Sequence, residues 1–137
     1  MTTEMKARVT PADVLLAARL LLAGPTGEGT NWRKDVCAAT RDGQGVSAND
    51  RDACCFDAVG VVLGLCGVGE YYRVNAAGIY AIKCLRQALD ERIGDTGPDV
   101  YDDWRVQHYN DAWDTSWWDI ESLFVRAEEI AQGLEWK

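Results

Sequence analysis

The chain has 137 residues, a length that fits one domain and suffices for a hydrophobic core of its own. It carries 22 acidic and 14 basic residues, for a formal net charge of −8. Proteins bind nucleic acids and anionic membranes mainly by neutralising phosphates with lysine and arginine. We therefore expect neither direct nucleic-acid binding nor membrane attachment, whereas a protein partner with a basic surface fits the charge.

The first helix is predicted from residue 10 to about Ala23. Thr10 can cap it, Pro11 suits the first helical position, and Asp13 can complete a capping box. Gly24 and the proline after it end the pattern. We expect residues 1–9 to be a flexible N-terminus and 10–137 to be a single helical domain.

No segment is predicted to cross a membrane or to direct export. The apolar run 14–23 is too short for a membrane span, which needs about 20 residues, and Arg19 interrupts it. The basic start and cleavage site of a signal peptide are also missing. The expected location is therefore the cytoplasm.

Residues 24–49 are rich in glycine and are predicted to form a small β-hairpin or loop insertion, because Asp42-Gly43 is typical of a hairpin turn. Ser47 and Asp50 are spaced as in a capping box, which predicts a second helix from there to about Cys66. From Ala53 onward that segment is apolar almost all round, as in buried helices.

Three further helices are predicted. Helical spacing of small apolar residues covers about 70–93, a short helix is plausible over about 99–108, and a capping box at residues 116–119 opens a last helix ending near Gly133. The predicted fold is mainly α: a compact bundle of four to five helices with the hairpin between helices one and two.

Residues 95–121 are the most unusual part of the sequence. They contain eight carboxylates against one cation, Arg105, together with six of the thirteen aromatic residues and the only histidine. Acidic and aromatic side chains together are typical of a surface that recognises a basic partner. Trp118 lies off the apolar stripe of the last helix and Trp113 lies in the loop before it, and both are expected to be partly exposed. The predicted partner-binding residues are Asp99, Asp102, Asp103, Trp113 and Trp118.

A sharper version of this hypothesis is a nucleic-acid mimic. It would require the carboxylates to lie like phosphates on one exposed face, and its binding would weaken steeply with salt.

Asn110 and Asp111 favour a structural role, because such side chains often bond nearby backbone groups in a turn before a helix.

A metal site is not predicted. The carboxylates of Asp99, Asp102, Asp103, Asp111 and Asp114 could gather around a hard cation, but the spacing of an EF-hand loop is absent. The five cysteines form no Cys-x-x-Cys pair, so zinc is not indicated either. We expect reduced thiols packed in the core and no cofactor.

A cysteine nucleophile is an alternative hypothesis. If Cys54 and Cys55 lay in the first turns of the second helix, the helix dipole would favour a thiolate. His108 could then act as the base, with Asn110 or Asp111 to orient it, as in papain-like chain order. The apolar surroundings of these cysteines argue against this scheme, so no catalytic residue is favoured among Cys54, Cys55, His108 and Asp111.

Four motifs together resemble a known family. They are a tryptophan before an Arg-Asp-x-x-Gly element (Trp32, then 41–45), a cysteine opening an apolar segment (54–60), an aromatic-Asn-Asp element (109–111), and an Asp-Ile-x-x-Leu-Phe-x-Arg-Ala helix (119–127). This succession resembles a family of short actinobacterial and bacteriophage proteins catalogued as a domain of unknown function. Many members have Trp-Cys at residues 54–55, and segment 97–108 is longer here. The resemblance covers about 12–131 and implies one domain and a phage or mobile-element setting in a bacterial host, but no activity.

The sequence thus favours a small acidic protein-binding accessory or inhibitor protein, which acts through its acidic and aromatic surface and need not be an enzyme. A cysteine-dependent hydrolase or transferase and a structural protomer of a larger assembly are the alternatives. The oligomeric state is left open by the sequence.

Overall fold

The computed structural model describes residues 9–70, 74–94 and 101–133. Within these ranges the fold is mainly α, as predicted, with five helices and a small three-stranded sheet. The helices are α1 (Pro11–Ala23), α2 (Ala58–Leu65), α3 (Ala76–Ile93), α4 (Asp102–Asp111) and α5 (Trp117–Gln132). The strands are β1 (Ala38–Ala39), β2 (Gly45–Val46) and β3 (Cys55–Phe56).

Capping boxes start both α1 and α5, which confirms the two predicted helix starts. The Thr10 hydroxyl accepts the Asp13 N–H at 3.1 Å, and the Asp13 carboxylate accepts the Thr10 N–H at 2.9 Å. Ser116 and Asp119 make the same reciprocal pair, with distances of 3.3 and 2.8 Å. These bonds satisfy backbone donors that a helix start leaves without partners.

The sheet lies between α1 and α2 and is antiparallel throughout, with the strand order β2-β1-β3. The predicted hairpin is present, since Ala38 pairs with Val46 and the Gly43 N–H bonds the Thr40 carbonyl at 3.0 Å in the turn. The third strand was not predicted. Phe56 pairs with Ala38 on the opposite edge of β1.

The predicted start of α2 is wrong. The helix begins at Ala58 rather than near Ser47, because residues 55–56 pair with β1 and cannot also be helical. Asp57 is the cap, and its side chain accepts the Gly60 N–H at 2.5 Å. Ser47 instead bonds the Asn49 side chain within a run of turns. The prediction that α2 is buried is confirmed for residues 58–63.

The boundaries of α3 and α4 also differ from the predictions. The third helix begins at Ala76 rather than at about residue 70, and Asn75 caps it by accepting the Gly78 N–H at 2.9 Å. Residues 71–73 of the expected helix lie outside the described residues. The fourth helix ends three residues later than expected, at Asp111. The predicted flexible N-terminus, residues 1–9, lies outside the described residues over 1–8. Residues 95–100, which include Asp99, also lie outside them.

The core lies between α1, α3 and α5, with α2 and α4 packed against them. Ion pairs link the same helices at the edge of the core, since Arg19 bonds Glu128 at 2.5 Å and Arg126 bonds Glu91 at 2.7 Å. Among the described helices, none is both long and apolar enough to cross a membrane. The largest fully buried side chains include Leu15, Leu22, Ile82, Leu85, Ile120 and Phe124.

The first turn of α2 touches the backbone that leads into β1. A Cβ atom added to Gly60 would collide with the Cys37 carbonyl oxygen. That carbonyl cannot withdraw freely, because it accepts the Asp57 N–H at 3.1 Å. Glycine is therefore required here by the close approach of two backbones.

We expect Gly60→Ala to lower the free energy of unfolding by about 3 kcal/mol, since the methyl group must push two bonded segments apart. Urea denaturation followed by circular dichroism measures the effect. Gly45→Ala is the matched control, because its added Cβ meets only Val36 at an ordinary 3.8 Å. Equal stability of the two variants would contradict the close approach.

Candidate functional site

The side chain of Asn110 links three separate parts of the chain. It is fully buried near the end of α4. Its Oδ1 accepts the Trp32 indole N–H at 2.6 Å and the Ala58 N–H at 3.0 Å, and its Nδ2 donates to the Arg33 carbonyl at 3.0 Å. The predicted local turn role of Asn110 is therefore wrong. Its bonds are long-range, and they join segment 32–33, α2 and α4.

Asp111 and Lys34 extend this connection to the surface. The Asp111 Oδ1 accepts the backbone N–H of Asp35 at 2.8 Å, and Asp35 lies in the left-handed region with φ +66°. The Lys34 ammonium donates to the Ala112 carbonyl at 2.6 Å and lies 5.7 Å from the centre of the Trp32 ring. Segment 32–35 is thus fixed along the end of α4.

Three tryptophans near this segment expose large apolar area. Trp113 is 91% exposed, Trp118 59% and Trp104 54%. The predicted exposure of Trp113 and Trp118 is confirmed. Trp117 is buried, and its ring centre lies 6.4 Å from that of Trp32. Tryptophan is enriched at protein–protein interfaces relative to the rest of the protein surface.

Trp113 sits on a loop whose backbone is held in place. The Thr115 hydroxyl donates to the Tyr109 carbonyl at 2.8 Å, and the Thr115 N–H donates to the Ala112 carbonyl at 3.1 Å. The Lys34 ammonium donates to the backbone carbonyls of Ala112 and Trp113. An exposed ring on a fixed loop loses little conformational entropy when a partner covers it.

The acidic residues of this region divide into two groups. Asp102 is used within the fold, since it pairs with Lys83 at 3.1 Å and with Arg86 at 3.4 Å. Asp114 is exposed, and Asp103 is partly exposed. Asp99, the remaining predicted partner-binding acid, lies outside the described residues.

A row of carboxylates that imitates phosphates finds little support in these positions. Asp102 is ion-paired, Asp119 caps α5, and Asp111 bonds the backbone of segment 32–35. Acids with internal partners offer less charge to a DNA-binding protein than free phosphates would. The internal partners of these acids therefore argue against a nucleic-acid mimic.

A cavity of about 250 Å³ is lined by one of the exposed tryptophans, Trp104. One wall is a single face of α4, formed by Trp104, Gln107, His108 and Asp111 at spacings of three and four residues. Trp104 and His108 stack there with their ring centres 4.9 Å apart. The remaining lining residues are Asp35, Val36, Cys37 and Asp57.

Two titratable groups of this cavity have raised pKa values, the buried Asp57 and the partly buried Cys37. Asp57 is only 2% exposed, and burial raises its pKa to about 7, although the Gly60 N–H bond opposes the rise and the charge of Asp111 adds to it. Burial likewise raises the pKa of the Cys37 thiol to about 12, and the charge of Asp57 contributes. Cys37 is therefore a neutral thiol near pH 7 rather than a nucleophile.

The geometry assumed for a cysteine nucleophile is absent. Cys55 lies in β3 and Cys54 precedes it, so neither residue is in α2, and the expected help from a helix dipole is wrong. Their sulfurs lie 3.7 Å apart, and burial raises the pKa of Cys55. Among the described residues, the cavity that His108 lines contains Cys37 and neither of these two cysteines.

The predicted core role of the cysteines holds in part. All five are free thiols, with Cys55 and Cys84 buried and the other three partly exposed. In the described parts of the chain, no group of three or more His, Cys, Asp or Glu side chains is arranged so that it could hold a metal ion.

Sequence reasoning missed several residues of the cavity. Asp57 falls within the predicted second helix and was not predicted as its cap, although an aspartate directly before an apolar run is a typical cap. The α4 face was detectable from the spacing of Trp104, Gln107, His108 and Asp111. Asp35 and Cys37 carried no local signal, because only the fold brings them to α4.

Comparison with known families identifies the chain. It belongs to the family of unknown function DUF6197, whose model matches residues 6–130. The match confirms the resemblance to a domain of unknown function. No curated protein and no solved structure matches the chain.

We expect Asn110→Ala to lower the free energy of unfolding by about 2–4 kcal/mol, because the Trp32 and Ala58 N–H groups lose their acceptor in the interior. Urea denaturation measures the change. Asn49→Ala, which removes an exposed asparagine whose side chain bonds Ser47, should cost less than about 0.5 kcal/mol. A loss at Asn110 no larger than that at Asn49 would contradict the role of this side chain.

The raised pKa of Asp57 predicts that stability falls as pH rises from about 4 to about 7. In that window the folded chain keeps a proton on Asp57 that the unfolded chain releases, so folding is favoured at the acidic end, with a slope of up to about 1.4 kcal/mol per pH unit.

Asp57→Asn tests this assignment, since asparagine caps a helix as well as aspartate and does not titrate. Its stability relative to the wild type should grow with pH across the same window, as measured by urea denaturation at each pH. The exposed variant Asp50→Asn should follow the wild-type profile. A constant difference between Asp57→Asn and the wild type would exclude Asp57 as the titrating group.

Proposed function

Because membership of DUF6197 assigns no activity, we propose that the protein is a small protein-binding accessory or inhibitor protein whose partner carries a basic surface. The observation that carries the proposal is the Trp113 side chain, which is 91% exposed on a loop fixed at both ends. The binding surface consists of Asp99, Asp102, Asp103, Trp113 and Trp118, with Trp104 and Asp114 added.

Aromatic side chains supply most of the affinity in this proposal. Tryptophans are the commonest residues whose truncation weakens a protein interface strongly. Trp113 and Trp118 can cover a partner with large, rigid surfaces, while Trp104 adds a third ring on α4. Their exposure in the free chain costs solubility, which a binding role would explain.

The acidic residues supply orientation and speed of association. Asp103 directly precedes Trp104 and Asp114 directly follows Trp113, so each places negative charge next to an exposed ring. The formal net charge of the chain is −8. Such charge attracts a basic partner and disfavours nucleic acid. Asp102 contributes less, because Lys83 and Arg86 offset its charge.

We also propose a bacteriophage or mobile-element setting and action in the cytoplasm of a bacterial host cell. This part rests on the resemblance of the motifs to actinobacterial and phage proteins. A phage protein of this size that binds one host protein fits an accessory or inhibitory role.

The double variant Trp113→Ala/Trp118→Ala should capture about 30-fold less of the partner from a host lysate, as expected when two anchoring tryptophans are removed. Immobilised protein and quantitative mass spectrometry measure the loss. Leu20→Ala is the matched control, since Leu20 is also 58% exposed but lies on α1. Capture that persists in the double variant would refute the surface.

Charge reversal gives a second arm of the same experiment. Asp103→Lys with Asp114→Lys avoids the ion pairs of Asp102, so the fold is spared. The captured protein should be basic, and both rising salt and the charge reversal should weaken its binding. Capture that is indifferent to salt and charge would contradict the basic partner.

A further inference from the structure

A cavity lies between segment 35–37, Asp57 and α4, and its lining does not include Trp113 or Trp118. Its volume is about 250 Å³, and liquid water occupies about 30 Å³ per molecule, so a group the size of roughly eight waters fits. It is open to solvent on one side, since Asp35 and His108 are exposed. A partner's side chain or a small molecule can therefore enter it.

The lining has a definite chemical character. Three carboxyl groups, from Asp35, Asp57 and Asp111, reach it from three different elements, and no lysine or arginine is among the described residues that line it. An anion would be repelled there. The lining is also too polar for a purely apolar group, which would cover three carboxyl groups without adding a hydrogen bond to any of them.

The aromatic side chains of the wall further restrict which chemical groups fit the cavity. Trp104 and His108 are stacked nearly parallel, at 23° between ring planes, on the side of the cavity formed by α4. A planar cation can lie against such rings while its N–H groups bond carboxylates at its edge. The Gln107 amide adds one more polar group to the same face.

We propose that this cavity is a binding site for a guanidinium group, held between the carboxylates of Asp35 and Asp111 and the rings of Trp104 and His108. Guanidinium is planar, remains charged at all relevant pH values and forms paired hydrogen bonds with carboxylates. A primary ammonium satisfies the charge but neither stacks nor forms such pairs.

Two sources can supply this group. If it is an arginine side chain on the basic partner, the cavity deepens the proposed function and to that extent rests on it. A free guanidino compound would fill the same site without any protein partner. The site itself can be tested with no partner present.

The test is a titration of the full chain with Nα-acetyl-L-arginine N-methylamide, followed by ¹H–¹⁵N NMR of the α4 amides and the Trp104 indole. We expect saturable shifts confined to the cavity, with Kd in the millimolar range or below, and much weaker binding of the corresponding citrulline and lysine derivatives. Equal binding of the neutral citrulline derivative, or no saturable shift, would overturn the proposal.

Two variants report on the walls of the cavity. Trp104→Ala removes a half-exposed ring, and Asp35→Asn keeps a residue that tolerates the left-handed backbone. Each should weaken binding at least about tenfold, whereas Leu20→Ala and Asp50→Asn, which alter exposed residues outside the lining and outside the proposed partner surface, should not. Binding unaffected by Trp104→Ala and Asp35→Asn would also overturn the proposal.

A comparison with free agmatine, a decarboxylated arginine, separates the two sources. Tighter binding of agmatine supports a soluble guanidino compound, and tighter binding of the blocked arginine supports a partner's side chain. The proposed function fails separately, if Trp113→Ala/Trp118→Ala keeps its partner while the cavity still binds guanidinium. If Asp35→Asn alone loses the partner, both proposals gain support.

Discussion

The arrangement of the candidate site depends on one buried amide, that of Asn110. Burying a polar side chain is costly unless its hydrogen bonds are made, and Asn110 makes them to Trp32, Arg33 and Ala58. Because these partners belong to separate segments, satisfying one side chain fixes the positions of all three. The cavity and the loop of Trp113 lie directly beside this connection and take their shape from it.

Asp57 combines a structural role with an energetic cost. Its carboxyl caps α2, which stabilises the helix, yet its burial beside Asp111 disfavours the charged form. Carboxyl groups with strongly raised pKa values are concentrated at functional sites, where binding a cation can offset the cost. The same cavity holds a neutral Cys37 thiol, so its chemistry favours recognition of a cation over nucleophilic attack.

Features determined by neighbouring residues were predictable from the sequence, and those determined by distant pairing were not. Capping boxes predicted α1 and α5, and the apolar stripe of the last helix predicted that Trp118 is exposed. The start of α2 was missed because residues 55–56 pair with β1, a long-range pairing that no local pattern encodes. The role of Asn110 was missed for the same reason, since its bonds reach 52 to 78 residues along the chain.

The central claim is that the Asn110 bonds hold the site together in the folded chain. Hydrogen exchange of the Trp32 indole N–H and the Ala58 amide measures this directly, because both donate to its Oδ1. We expect both protons to exchange only through global unfolding, with the free energy that urea denaturation gives for the whole chain. Rapid exchange of either proton, through local opening well below that free energy, would contradict the account.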